Sequence, residues 1–360
     1  MGEKGGPPMK SSSISLQVAR EAELQHRYIG VDIGGTKVSA GIVDQHGKIL
    51  FSTRSAMIAA GDAQAGFAVV RGVIDEVLQR NGAHPIVALG VSAPGPVDPT
   101  TGVVANPANL PCWRDFPLRD ELERAYGLPV WADNDANAAG LAEALWGAAA
   151  QFNSAFYVTI GTGIGTAIVI NKSVYHGPSG AAGEGGHMSI DFRAGETDCN
   201  CGKPGCVEAM ASGPAIGRRA RALIQTHPRR GHVLLGLSGG DASAITSETV
   251  GTAWREGDSL ATEILHETAD VLAVWFGNII DLLEPEVIVV GGGVGELISH
   301  FFDVIEARLP RWCVNQRCRD IPMKLARYGP DSGIAGGAAL CLQDFGIKER
   351  AVKEAGSAGV

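Results

Sequence analysis

The sequence predicts an α/β protein built as two similar lobes with a ligand cleft between them. Three observations carry that prediction. A strand, glycine/threonine turn, strand, turn, strand pattern occurs twice. Fully apolar strands alternate with helical repeats, as in sheets covered on both faces. The 49 glycines, nearly twice the average usage of about 7%, fall in clusters at strand ends. Clustered glycine suits tight turns and close backbone approach to a ligand.

The first pattern runs from Tyr28–Asp32 through Ile33–Lys37 into Val38–Val43. The turn Asp44–Gln45–His46–Gly47 then leads to Lys48–Phe51, so these strands form antiparallel neighbours. Between Ala65 and Arg80, Phe67, Val70, Val73, Ile74, Val77 and Leu78 recur at helical spacing. Ile86–Val91 is a continuous apolar strand. After a Pro/Gly-rich loop over 92–109 come a helix at Leu118–Tyr126, a strand at Val130–Ala132 and a small-residue helix at Asn137–Trp146. The pattern restarts at Ala155–Ile160, turns at Gly161–Gly165, continues over Thr166–Ile170 and turns again at Asn171–Lys172. A long helix over Ser259–Ile280 and a buried strand at Glu286–Val290, ending in Gly291–Gly293, complete the second lobe. Ligands commonly bind in a cleft between such lobes.

Composition narrows the partners. Of 360 residues, 45% are hydrophobic and 19% charged, which excludes disorder over most of the length. The net charge is −9 and no dense Lys/Arg cluster occurs, so a nucleic-acid partner is not expected. No apolar run approaches the roughly 18 residues of a membrane span. Residues 1–27 lack the apolar stretch of a secretory signal and read as a disordered extension. Seven cysteines, three of them crowded at Cys199, Cys201 and Cys206, favour metal binding over disulfides and a reducing cytoplasm.

Two turns have the chemistry of phosphate cradles. Asp32–Ile33–Gly34–Gly35–Thr36–Lys37 places an acid at a strand end, followed by residues whose backbone N–H groups can approach phosphate oxygens. Thr36 adds a hydroxyl donor, and Asp32 suits a Mg²⁺ held through water. Gly161–Thr162–Gly163–Ile164–Gly165 offers a second cradle, and Gly291–Gly292–Gly293 a third glycine cluster after an apolar strand. Neither turn is a Walker motif or a dinucleotide fingerprint.

His187 with Cys199, Cys201 and Cys206 supplies one imidazole and three thiolates. That is a complete tetrahedral set for a structural Zn²⁺, with no position left for water. Glu184 and Glu208 stand beside these ligands, and carboxylates suit polyols because each oxygen accepts from hydroxyls. His187 binding metal through one ring nitrogen keeps the other as a donor. In Asp133–Asn134–Asp135–Ala136–Asn137, helix capping accounts for Asp133 and Asn137 but not for three polar groups in a row. Transferring a phosphoryl group to an alcohol needs a carboxylate to accept the hydroxyl proton.

On these motifs the chain, over about 28–345, resembles the ROK (repressor, open reading frame, kinase) family within the actin/hexokinase/Hsp70 ATPase superfamily. The resemblance implies two actin-like, ribonuclease H-like α/β domains that close on ATP and a sugar. It places one domain at 28–138 with a return at about 331–348, and the other, carrying the zinc loop, at 139–330. It makes 32–37 and 161–165 the phosphate loops and Gly291–Gly293 the adenosine side. It assigns Asp135 as the catalytic base and Asn134, Asn109, Gly95, Glu184, His187 and Glu208 as sugar contacts. Thr166 and Cys112 stand where the family frequently has glycine, and Trp113 suits either the pocket or the core. A homodimer is implied, with the apolar 271–283 stretch as one available face. The expected activity is ATP-dependent phosphorylation of a hexose 6-hydroxyl, glucose first. Fructose, mannose, N-acetylmannosamine, N-acetylglucosamine and kanosamine are the competing substrates. A sugar-responsive repressor, the family's other class, carries a winged helix ahead of the first loop. Only 27 residues precede Tyr28 here, and they are not basic.

Overall fold

The computed structural model describes residues 26–193 and 199–343. The expected N-terminal extension falls, up to residue 25, outside the described residues, as does 344–348 of the expected C-terminal return. Arg27 already belongs to the first strand.

The first sheet is built from β1 (Arg27–Ile33), β2 (Lys37–Asp44), β3 (Ile49–Ala56), β4 (Ile86–Ala93) and β5 (Val130–Asn134), in the order β3-β2-β1-β4-β5. The second contains β6 (Ser154–Ile160), β7 (Ile164–Ile170), β8 (Ser173–Val174), β9 (Ile288–Gly291) and β10 (Met323–Leu325), in the order β10-β9-β6-β7-β8. In each sheet the leading strand pairs antiparallel with the next and parallel with the strand beyond the crossover. The duplication expected from the glycine pattern is therefore a duplication of topology, strand for strand.

Alternation explains why both faces of these sheets are apolar. Ile29, Val31 and Ile33 point into a core shared with α1 (Ala63–Asn81), which contributes Phe67, Val70, Ile74 and Val77. Tyr28, on the opposite face, joins Ile334 and Ala338 of the helix over 332–343. That helix lies directly on the strand backbones. A β-carbon built on Gly30 would come 1.9 Å from Ile334 O, and one on Gly90 1.8 Å from Gly337 O. The second sheet packs Phe156, Val158 and Ile160 against the long helix Ser259–Leu283, where Trp275 meets Phe156 edge-on at 5.7 Å.

The helix α3 (Asp135–Leu145), with α2 (Leu118–Tyr126) preceding it, touches both lobes. Its Ala139 and Ala144 pack on Tyr157, Ala167 and Val169 of the second sheet, while Ala138, Leu141 and Ala142 meet Ala335, Ala339 and Leu340. The domain boundary expected at 138/139 falls inside this helix. Buried Glu143 anchors its far end, accepting hydrogen bonds from Ala148 N at 2.7 Å, Arg327 N at 2.7 Å and Tyr328 N at 3.0 Å.

Several details differ from the sequence reading. The third strand runs on to Ala56, and α3 starts two residues before the expected Asn137, at Asp135. The helices between Val207 and Arg255, and the short β10, carried no pattern strong enough to place them. Trp113 is a core residue, fully buried and stacked on Phe116 at 4.7 Å. The apolar side chains of 271–283 also serve their own lobe: Leu272, Trp275, Phe276, Ile279 and Ile280 are buried, and Leu282 faces out. Among the described residues no helix is long and apolar enough to cross a membrane.

Candidate active site

The first glycine turn closes at the end of β1, with Gly34 N donating to Lys37 O at 2.8 Å. A β-carbon on Gly35 would sit 2.7 Å from both Cβ and O of Asn109. Glycine there lets the loop carrying Asn109 lie against the turn. Asp32, one residue before the end of β1, lies beside Gly333, while Thr36 and Lys37 are exposed. Burial, with the charge of Asp135 adding to it and Lys37 and Arg54 opposing, pushes the Asp32 carboxyl up to about 6.

That shift has a signed consequence. In the ligand-free fold the ionised carboxylate is disfavoured, so its cost to stability is fully present above about pH 6 and absent below about 3.8. Asp32→Asn is therefore expected to stabilise the protein above about pH 6 by on the order of 1–2 kcal/mol after allowance for solvent, read as a raised thermal midpoint. The difference should vanish as the pH falls through the ordinary carboxylate range, while activity is lost. A midpoint that falls at neutral pH would show that Asp32 is a stabilising partner instead.

The second turn is held from two sides. Gly161 N donates to Gly163 O at 2.9 Å, and Gly213 N donates to Gly161 O at 2.8 Å. Glu208 Oε2 accepts from Ile164 N at 2.8 Å, and a β-carbon on Gly163 would lie 2.6 Å from that oxygen. The Thr162 side chain is exposed. Gly291 ends β9 and Gly292 adopts φ +83 ahead of the helix Gly293–Ser299. A β-carbon on Gly292 would come 2.3 Å from Ile160 O. The third glycine cluster thus abuts the second turn, and Gly293 faces open space.

Between the turns stands Asp135. A β-carbon on Gly165 would lie 3.0 Å from Ala136 Cβ, and one on Gly95 3.7 Å from Asn134 Cβ, so both loops border the start of α3. The Asp135 side chain is open to solvent but surrounded by protein mass. Burial raises its pKa, a hydrogen bond from Ala136 N opposes this, and the charges of Glu184 and Asp133 add to it. A carboxylate with a raised pKa is a better proton acceptor. The helix cap is Asn134, whose Oδ1 accepts from Asn137 N at 2.7 Å. Capping was expected of Asp133 and Asn137; instead, Asp133 Oδ1 accepts from Asn134 N and from Asn137 Nδ2. The cap uses only the oxygen of the Asn134 amide.

Thr166, in place of a frequent glycine, clamps the segment carrying Glu184. Its hydroxyl donates to Gly183 O and accepts from Gly185 N at 2.9 Å. Cys112 fills its glycine position with a thiol 3.5 Å from Ile58 O. The next turn, Gly185–His187, lies so close to β7 that a β-carbon on Gly186 would come 2.0 Å from Ile164 O.

His187, Cys199, Cys201 and Cys206 converge, their ligand atoms all within 4.8 Å of one another. Cys199 Sγ lies 3.3 Å from His187 Nδ1, and Cys201 Sγ 3.5 Å from Cys206 Sγ. A tetrahedral ion with zinc–sulfur bonds of about 2.3 Å has sulfur–sulfur edges of about 3.7 Å, so the four residues fit zinc. Burial pushes the Cys199 thiol up to about 12, which makes a cation the natural partner for deprotonating it. Nδ1 is the ring nitrogen on the cysteine side, leaving Nε2 free of the cluster. Glu208 Oε1 lies 3.5 Å from Cys199 Sγ, so Glu208 braces both the second glycine turn and the cysteine loop.

One residue in this neighbourhood went unread in the sequence. His176 donates to Asp133 at 2.6 Å, from a lone histidine in a Tyr–His–Gly–Pro turn with no periodic or motif signal.

Twin sheets of this topology, together with glucokinase relatives in sequence and structure, make this a sugar kinase of the actin/hexokinase ATPase type. The ROK family profile matches residues 28–344, and the chain belongs to the ROK family. A glucokinase of Halalkalibacterium halodurans is 31% identical over 328 residues, 90% of this chain and 97% of that protein. A glucokinase of Streptomyces coelicolor is 33% identical over 316 residues, 88% and 97% of the two chains. In structure, the ROK glucokinase of Streptomyces griseus in complex with glucose and AMPPNP superposes with a TM-score of 0.73 at 33% identity, over 87% of this chain and 98% of that one. Kinases of N-acetyl-D-glucosamine and N-acetylmannosamine, and xylose repressors, are also similar.

Proposed function

We propose that this protein transfers the γ-phosphoryl group of ATP to the 6-hydroxyl of glucose. The observation that carries the reading is the position of Asp135, a carboxylate of raised pKa at the start of α3, bordered by Gly165 of the second turn and by the Gly95 loop. Asp135 takes the hydroxyl proton as the oxygen attacks phosphorus. Asn134 Nδ2, Asn109 and the backbone at Gly95 hold the sugar from one side. Glu184, His187 Nε2 and Glu208 Oε1 hold it from the other. Once Cys199 is a metal thiolate it has no proton to give, and Glu208 Oε1 is free to accept from a hydroxyl. The turns 32–37 and 161–163 present N–H groups to the phosphates, with Gly291, Gly292 and Gly293 along the nucleoside. Mg²⁺ near Asp32 would supply charge neutralisation on the transferring group. Zn²⁺ on His187, Cys199, Cys201 and Cys206 would fix the sugar-binding loop.

The same reading places one domain at 28–138 with 331–348 and the other at 139–330. It also includes a cytoplasmic location, a homodimer, and no nucleic-acid partner. The similarity to acetamido-sugar kinases keeps a second substrate class in view, because hydroxyl epimers and 2-substituents differ by one or two hydrogen bonds. A coupled ADP-release screen over glucose, mannose, fructose, N-acetylglucosamine, N-acetylmannosamine and kanosamine tests the assignment. Glucose is expected to give the highest kcat/KM. A higher value for an acetamido sugar would replace glucose, and no turnover on any hexose would remove the kinase reading.

A further inference from the structure

A cavity of about 730 Å³ lies beside the catalytic turn and is lined by residues of both lobes, among them Asp98, Trp131, Asp133, His176 and Ser179. Asn109, Asn134, Asp135, Glu184 and His187 are not among the residues that line it. One ionisable pair lies in its wall. His176 Nε2 lies 2.6 Å from Asp133 Oδ2; the aspartate side chain is 3% exposed and the imidazole 21%. A carboxylate only accepts, so Nε2 carries the proton.

The bonds around this pair run in two directions. Asp133 Oδ1 accepts from Asn134 N at 2.7 Å and from Asn137 Nδ2 at 3.0 Å, so one carboxylate fixes residues on both sides of Asp135. The carbonyl of His176 accepts from Ala182 N at 2.9 Å, closing the loop that continues into the Thr166 clamp on Gly183 and Gly185. Glu184 lies between those two clamped glycines. The Asp133–His176 bond thus joins the turn bearing the proposed base to the loop bearing a proposed sugar ligand.

We propose that Asp133 and His176 are a positioning pair that sets the placement of the Asp135 carboxylate relative to the Glu184 loop. The proposal rests on Asp135 being the base. Misplacing a reacting group by about 1 Å costs up to about 100-fold in rate, and such a loss falls on kcat rather than on sugar binding.

The test compares His176→Ala and His176→Gln with the wild-type protein, measuring kcat, KM for the preferred hexose and the thermal midpoint, with and without millimolar imidazole. His176→Ala is expected to lose between about 10- and 100-fold in kcat with little change in KM. His176→Gln, whose amide N–H₂ can reach the same carboxylate, should recover most of that loss. Imidazole, entering through the cavity, should restore His176→Ala in part and leave the wild type unchanged. Wild-type kcat in His176→Ala overturns the proposal. Equal losses in both variants with a lowered midpoint and no imidazole rescue also overturn it, reducing the pair to a strut. Asp135→Asn, assayed in parallel, separates the two ideas: if it turns over normally the base assignment falls, whatever the His176 variants do.

Discussion

Asp135→Asn is expected to fold, bind sugar with near-normal affinity, and lose at least about 10²-fold in kcat, the lower end for a missing general base. The substitution keeps the shape of the side chain and its contact with Ala136 N, so what it removes is the proton acceptor. The expected pattern is a fall in kcat with little change in KM, because proton acceptance matters in the transition state and not in binding. Isothermal titration with the sugar, alongside coupled kinetics, separates the two. The wild-type pH profile is a second readout. Asp135 must be ionised to act, and burial raises its pKa. The acid limb of kcat should therefore lie above the ordinary carboxylate value of about 3.9, and rate should be lost as pH falls through it. In Asp135→Asn that limb should be absent. Near-normal turnover in a folded Asp135→Asn protein would remove Asp135 from the chemistry and with it the mechanism.

The second large effect is expected from the cysteine cluster. Cys206 is fully buried, opens the short helix Val207–Ala211 that carries Glu208, and lies 3.5 Å from Cys201. Cys206→Ser should abolish metal retention, and a site of this type contributes on the order of 10 kcal/mol to local folding when zinc binds. The loop also positions Glu208, which braces the second glycine turn through Ile164 N. Loss of the metal should therefore reach the sugar site and lower hexokinase activity at least about tenfold, the scale seen when supports of a metal site are removed. Elemental analysis of the purified wild type should find one zinc per chain. A strong chelator should reproduce the variant's loss of activity, and added zinc should reverse it. A metal-free wild-type protein of full activity would show the four residues to be packing only.

Several parts of the candidate site are legible in the sequence. Asp32–Lys37, Gly161–Gly165 and Gly291–Gly293 are contiguous, and close approach of backbone to backbone demands glycine locally, as Gly292 against Ile160 O shows. The thiols and His187 were readable because few other uses exist for three cysteines in eight residues. Asp135 was marked by its surroundings, an acid among amides at a strand–helix junction. By contrast, Asp133 reads as a cap in sequence but is a buried brace in the fold, since the two look alike as sequence and only the partner's position tells them apart. Glu208 combines two contacts whose partners lie 9 and 44 residues away, and His176 meets its partner across 43. No local pattern records such pairings.

The division follows from the range of the forces. Turn geometry, strand alternation and metal-ligand chemistry act over a few residues, so composition and spacing alone point to an α/β fold with a repeated strand pattern, its glycine turns and a cluster of metal-ligand residues. Which lobe faces own a given side chain depends on packing between segments distant in the chain. Only the folded molecule buried Trp113 beneath Phe116, turned most of the apolar 271–283 side chains inward, laid 332–343 on Gly30 and Gly90, and set His176 against Asp133. Those placements satisfy the burial and hydrogen-bonding needs of many residues at once, and no single stretch of sequence states them.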